Sequence, residues 1–141
     1  VAQGAYSLGP RIIELDRQIR QRDPLLAIGA PVMRDLLVPD RGQVILLCDL
    51  FRDRVLCTHQ MSNGSSLALS YTRGRPMPLF RGATAKAILA FLPQRRLMQL
   101  YLQNPTEVAQ AGLGNTYDEF VASLRAIRRR GYAVSHAEVG A

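Results

Sequence analysis

The chain has 141 residues, 48% of them hydrophobic and 21% charged, a composition that fits one globular domain and excludes a disordered chain. No apolar run approaches the roughly 20 residues that cross a bilayer, and Val1-Ala2-Gln3-Gly4 has neither the basic start nor the apolar follow-on of a signal peptide, so a cytoplasmic protein without a membrane partner is expected. The formal charge is +7, which favours an anionic partner, but the one dense cluster, Arg128-Arg129-Arg130, falls at a helix end where cations offset the helix dipole.

Ile12, Leu15 and Ile19 recur at helical spacing, which predicts an amphipathic helix over residues 11–22. Asp23 caps a second helix with Pro24 at its first position, and Pro31 either kinks that helix or marks its real start. A turn at Pro39-Asp40-Arg41-Gly42 leads into two β-like runs, 43–50 and 54–60, joined by Phe51-Arg52-Asp53 as a hairpin. Pairing residue 50 with residue 55 sets Cys48 opposite Cys57, with Cβ atoms about 5 Å apart. Two reduced core thiols are one reading of that pair, and a redox switch is another. Residues 66–72 alternate as a third strand between loops at 61–66 and 73–78.

A helix then runs from the small residues Gly82-Ala83-Thr84-Ala85 towards Pro93, which opens another over 93–104. Residues 105–115 read as irregular. Thr116 and Glu119 form a capping box, T-x-x-E, for a helix that buries Phe120, Val121, Leu124 and Ile127 and stops at Gly131. Residues 132–139 begin a strand. Helices, a β meander, more helices and a last strand make an α+β fold with an antiparallel sheet covered by helices. A terminal strand with nothing after it leaves the sheet short of partners, so a domain incomplete at its C-terminus is expected.

No catalytic constellation stands out. There is no GxSxG elbow, no zinc pattern around the two cysteines and two histidines, and no second glycine ahead of Lys86 to make a phosphate loop. Cys57 and His59 share a face if their segment is a strand, which leaves a thiolate–imidazole pair open beside the plainer reading of a buried thiol and a surface imidazole. The start of the helix at 82–85 is the better candidate. A helix N-terminus leaves backbone N–H groups unpaired and favours a carboxylate or phosphate. Gly82, Ala83 and Thr84 do little to block approach, and Arg75 and Arg81 can add charge at the rim. Alternatively, the small residues only let the helix pack closely on the sheet. Lys86, the one lysine of the chain, either reaches back to a loop carbonyl or lies at the surface.

In order along the chain, "YSLGPRIIEL", "LLAIGAPVMRDLL", "GQVILLCDLFRDRVLC", "GRPMPLFRGATAKAILAFLP" and "RAIRRRGYAVSHAEV" resemble the effector-binding domain of IclR-type bacterial transcription regulators. Phe80 stands where that family often has His, Arg81 where it often has Ala, and Ala85 where Gly precedes the conserved-type lysine, here Lys86. The resemblance implies a GAF-like antiparallel sheet flanked by helices and C-terminally truncated. Residues 1–10 would be the end of a winged helix-turn-helix, 11–22 a linker helix and 23–141 the incomplete effector-binding domain. It also implies a small organic-acid or aromatic effector and assembly as a homodimer or homotetramer. Operator DNA would be bound only through the winged helix-turn-helix, and no cofactor, metal or enzymatic activity is implied. Carried over residue by residue, the effector contacts would be Ser66 and Leu69 of the third strand, Phe80, Arg81, Gly82, Ala83 and Thr84 around the helix start, and His136 and Glu138 of the terminal strand. Two readings compete with sensing: an oligomerisation module with no working pocket, and a small enzyme using Cys57 and His59.

Overall fold

Asp23 shows how local chemistry sets the first boundary. In the computed structural model, which describes residues 7–63, 72–136 and 138, its carboxylate accepts hydrogen bonds from the amides of Leu25 at 2.9 Å and Leu26 at 3.3 Å. That cap ends helix α1 (Arg11–Arg22) and starts helix α2 (Pro24–Leu36). Pro24 occupies the first turn, where its missing N–H costs nothing. Pro31 lies inside a helix that continues through it. Gly29 gives α2 its close approach to the sheet, because a Cβ there would stand 3.1 Å from the Leu47 side chain.

Strands β1 (Val44–Phe51) and β2 (Arg54–Ser62) form a hairpin closed by Arg52 and Asp53, with Arg52 in the left-handed region at φ 56°. The register pairs Leu50 with Val55 and Cys48 with Cys57, and a bulge between Leu47 and Cys48 then shifts it by one residue. The third strand of the sheet is β3 (Pro76–Met77), antiparallel to β2. It lies inside the stretch 73–78 that reads as a loop. Pro76 can occupy this edge because it has no N–H to donate, while Met77 turns inward and is buried. The expected strand at 66–72 falls, apart from Thr72, outside the described residues.

Helices α3 (Ala83–Leu89), α4 (Gln94–Gln103), α5 (Pro105–Gln110) and α6 (Tyr117–Arg130) follow. The short α5 replaces the irregular segment expected there, and Pro105 at its first turn is the signal that marks it. Thr116 caps α6 by accepting from the Glu119 amide at 3.2 Å, but the Glu119 carboxylate reaches the Asn115 amide at 2.7 Å, one residue before the partner a capping box predicts. Gly131 ends α6 at φ 84°. The described residues after it, 132–136 and 138, form no strand. The expected terminal strand is corrected here to an irregular segment, whose polar side chains turn to the start of α3.

The core gathers Val55 and Cys57 of β2, Leu89 of α3, Leu100 of α4, Val108 of α5 and Phe120 and Leu124 of α6, each less than 2% exposed. Phe120 is the hub: its ring meets Phe80 edge-on at 6.4 Å and stacks on Tyr101 at 5.9 Å. Helix α1 contributes no buried residue. Phe120→Ala should therefore cost about 3–5 kcal/mol in chemical denaturation, whereas Ile12→Ala on α1 should change stability by less than about 0.5 kcal/mol.

Candidate functional site

Helix α3 begins with a problem of unpaired amides. Gly82 precedes it at φ 82° and ψ 154°, a conformation that favours glycine, and offers no side chain as a cap. The Gly82 amide donates to Oε2 of Glu138 at 3.1 Å, and the Ala83 amide donates to Oγ of Ser135 at 3.0 Å. Lys86, one turn into the helix, reaches back with Nζ to both Glu138 oxygens at 2.9 and 2.7 Å. The Lys86 side chain is 13% exposed and that of Glu138 31%. Lys86 chiefly, and the Gly82 amide next, hold the Glu138 carboxyl below its ordinary pKa.

Small side chains at 82 and 83 thus admit a carboxylate, and here the chain supplies one from 56 residues beyond Gly82. Lys86, for which the sequence offered a loop carbonyl or the surface, does reach back, but to this carboxylate as its counter-ion. Ser135 was missed altogether, and no local signal marks a serine whose partner is an amide so far off in sequence. Of the residues carried over from the family, Gly82, Ala83 and Glu138 come together in this cradle. Thr84 is half-buried beside it, and His136 is exposed but close enough for its charge to favour ionised Glu138. Arg81 is exposed and donates towards Gln110 at 3.5 Å, to one side. Phe80 is 2% exposed and packed on Phe120, so its ring belongs to the core. Ser66 and Leu69 lie outside the described residues.

The cysteines behave differently from a catalytic pair. Both are free. Cys57 donates through Sγ to the backbone carbonyl of His59 at 3.3 Å, so its hydrogen bond goes to the main chain of that residue. Burial pushes the Cys48 thiol up to about 12 and raises that of Cys57 as well. A nucleophilic cysteine needs the opposite shift. Among the described residues, no group of three His, Cys, Asp or Glu gathers that could hold a metal ion, and no helix is long and apolar enough to cross a membrane.

The fold, a β hairpin covered by helices, is that of the C-terminal domain of a family of bacterial transcription regulators. The family model for the C-terminal domain of bacterial IclR transcriptional regulators matches residues 18–140, and the chain belongs to that family. It is 31% identical to the HTH-type transcriptional regulator KipR of Bacillus subtilis, an alignment that takes in 98% of this chain and 55% of KipR. The chain therefore spans about half the length of that curated relative. Among solved structures, the C-terminal domain of a Vibrio cholerae transcriptional regulator matches with a TM-score of 0.67 at 26% identity, over 86% of this chain and 70% of that one. The Thermotoga maritima IclR protein shares the fold with a TM-score of 0.72 at 24% identity, over 95% of this chain and 54% of that one.

Two measurements check the site. The stabilisation from the Glu138 pair should be fully present above the ordinary glutamate pKa and disappear as pH falls through the depressed one, because protonation removes the charge that Lys86 and the Gly82 amide hold. The amide resonance of Gly82 should accordingly titrate with a midpoint below 4.5, and in Glu138→Gln that titration should vanish. With iodoacetamide at neutral pH, both thiols of the folded protein should react at least about tenfold more slowly than free cysteine. Fast labelling of either would restore the thiolate reading.

Proposed function

We propose that this chain is the ligand-sensing and oligomerising part of an IclR-family regulator, and that it binds a small organic or aromatic acid at the start of α3. The observation that carries this reading is the Glu138 carboxylate, seated on Lys86 and on the Gly82 amide. A place that already holds a carboxylate is suited to exchange it for another of the same charge. The contacts would be Gly82, Ala83, Thr84 and Lys86 at the cradle, Arg81 and His136 at its rim, and Ser66 and Leu69 from the preceding segment. Phe80 would serve as a wall braced on Phe120. Binding would displace Glu138 and free the segment that carries it. The regulator would act in the cytoplasm, without enzymatic activity, and operator DNA would be read by a winged helix-turn-helix outside this chain.

A second reading, assembly without sensing, is favoured by one observation. Ile12 at 47%, Ile13 at 74% and Ile19 at 58% exposure on α1, with Ile28 at 74% and Val32 at 54% on α2, leave large apolar side chains in solvent. A second copy of the chain would cover them in a homodimer or homotetramer.

A thermal-shift screen against small aliphatic and aromatic carboxylates separates the two. A ligand at 100 times its dissociation constant adds about 2.7 kcal/mol of stability. The sensing reading predicts a raised melting temperature with at least one acid, lost in Thr84→Trp. A response that survives Thr84→Trp moves the site elsewhere, and a flat screen with a concentration-dependent dimer supports assembly alone.

A further inference from the structure

Helix α1 has no buried residue, yet it is tied to the sheet. Among the described residues, the charged tie to the sheet is made by one side chain. Arg73 donates through Nε to Oδ1 of Asp16 at 2.9 Å, and Nη2 approaches the same oxygen at 2.8 Å. Its Nη1 donates to the carbonyl of Thr58 on β2. One planar guanidinium thus spans from the linker-like helix to the middle of the central strand, its rigid fork fixing both directions where an ammonium's rotatable donors on a flexible stem would not. The Arg73 side chain is 22% exposed, against 38% for Asp16.

The base of this bridge is well fixed. The Gly74 amide donates to the Cys57 carbonyl at 2.9 Å and the Arg75 amide to the Thr72 carbonyl at 3.0 Å, so the 72–75 turn is pinned to β2. Gly74 sits at φ 82°, which lets the chain make that turn. The far end is adjustable. Asp16 also accepts from Arg20 at 2.7 Å on its own helix, so it has a local partner when Arg73 withdraws. Between the two elements lies a cavity of about 370 Å³, lined by Asp16, Arg20, Cys57, Thr58 and Arg73 among others. With no buried residue on α1, the Asp16–Arg73 pair is well placed to govern how the helix sits over that space.

We propose that Arg73 is the positioning residue that sets the orientation of α1 on the sheet, so that breaking its contact with Asp16 frees α1. The proposal rests on the regulatory reading for its purpose. Leu69, proposed to touch the effector, lies only four residues before Arg73 in the chain. The mechanical claim itself needs no effector.

Backbone order parameters from ¹⁵N relaxation test it on the intact chain without any ligand. In the parent protein at low salt, residues 13–20 should move with the body, at about 0.85, and in Arg73→Gln and in Asp16→Asn they should fall below about 0.6, while α3 and α6 stay rigid. Raising salt towards 1 M, where the screening length drops to about 3 Å, should loosen α1 in the parent and add nothing in Asp16→Asn. Arg73→Lys should fall between parent and Arg73→Gln. Unchanged order in α1 for both variants, or a loss of order throughout the protein, overturns the proposal. Because no acid is present, either result stands apart from the thermal-shift outcome that decides sensing.

Discussion

Seven residues make α3 too short to stand on its own, and its first amides have no side-chain cap. Everything on this side of the molecule follows from how that need is met. Ala85 and Leu89, at 1% and 0% exposure, press the helix into the core beside Phe80 and β2. Its open end then draws in Ser135 and Glu138 from beyond α6, with Lys86 reaching back to hold the carboxylate. The polar end and the apolar face of one short helix thus join the segment after α6 to the body. Because the pair is partly exposed and its energy depends on ionisation, this junction is weaker than the core that carries it, and the proposed effector would act at that weak point.

Much of the fold was legible because the signals were local. Asp23-Pro24, Thr116 and Gly131 each name a helix boundary through backbone chemistry that needs no distant partner. The assumed pairing of Leu50 with Val55 holds, setting Cys48 against Cys57, but Phe51 pairs with Arg54, so the expected loop at 51–53 shortens to a turn at residues 52 and 53. What failed was what depends on partners elsewhere. Residues 132–139 have the composition of a strand, but in the described residues they lie against α3. Pro76 and Met77 look like loop until β2 is beside them. The site was half legible: small residues at a helix start announce access for an anion, but nothing near Lys86 announces Glu138. Phe80 shows the same limit, since its direction is set by Phe120, forty residues on.

Membership of the IclR family and the cradle at α3 fit together as parts of one device. A domain that reports on a metabolite needs a place that takes the ligand and an element that moves in response. Under the proposed function, the first would be the Gly82 and Lys86 cradle that Glu138 now fills. The second would be α1, which exposes large apolar residues and whose charged contact with the sheet, among the described residues, is the Asp16–Arg73 pair. Both are charge-based contacts on an apolar core, so each can change while Phe120 and its neighbours stay packed. The buried Cys57 thiol and the half-buried one of Cys48 belong to that unchanging part.

Lys86 is the chain's one lysine, so selective ¹⁵N labelling of lysine side chains yields a single ammonium signal that reports on the cradle directly. The account predicts a protected Lys86 Nζ resonance in the parent protein, a shifted and fast-exchanging one in Glu138→Gln, and a shifted but still protected one when a binding acid takes the place of Glu138. An ammonium signal that is the same in the parent and in Glu138→Gln would contradict it, because Lys86 would then not be holding that carboxylate.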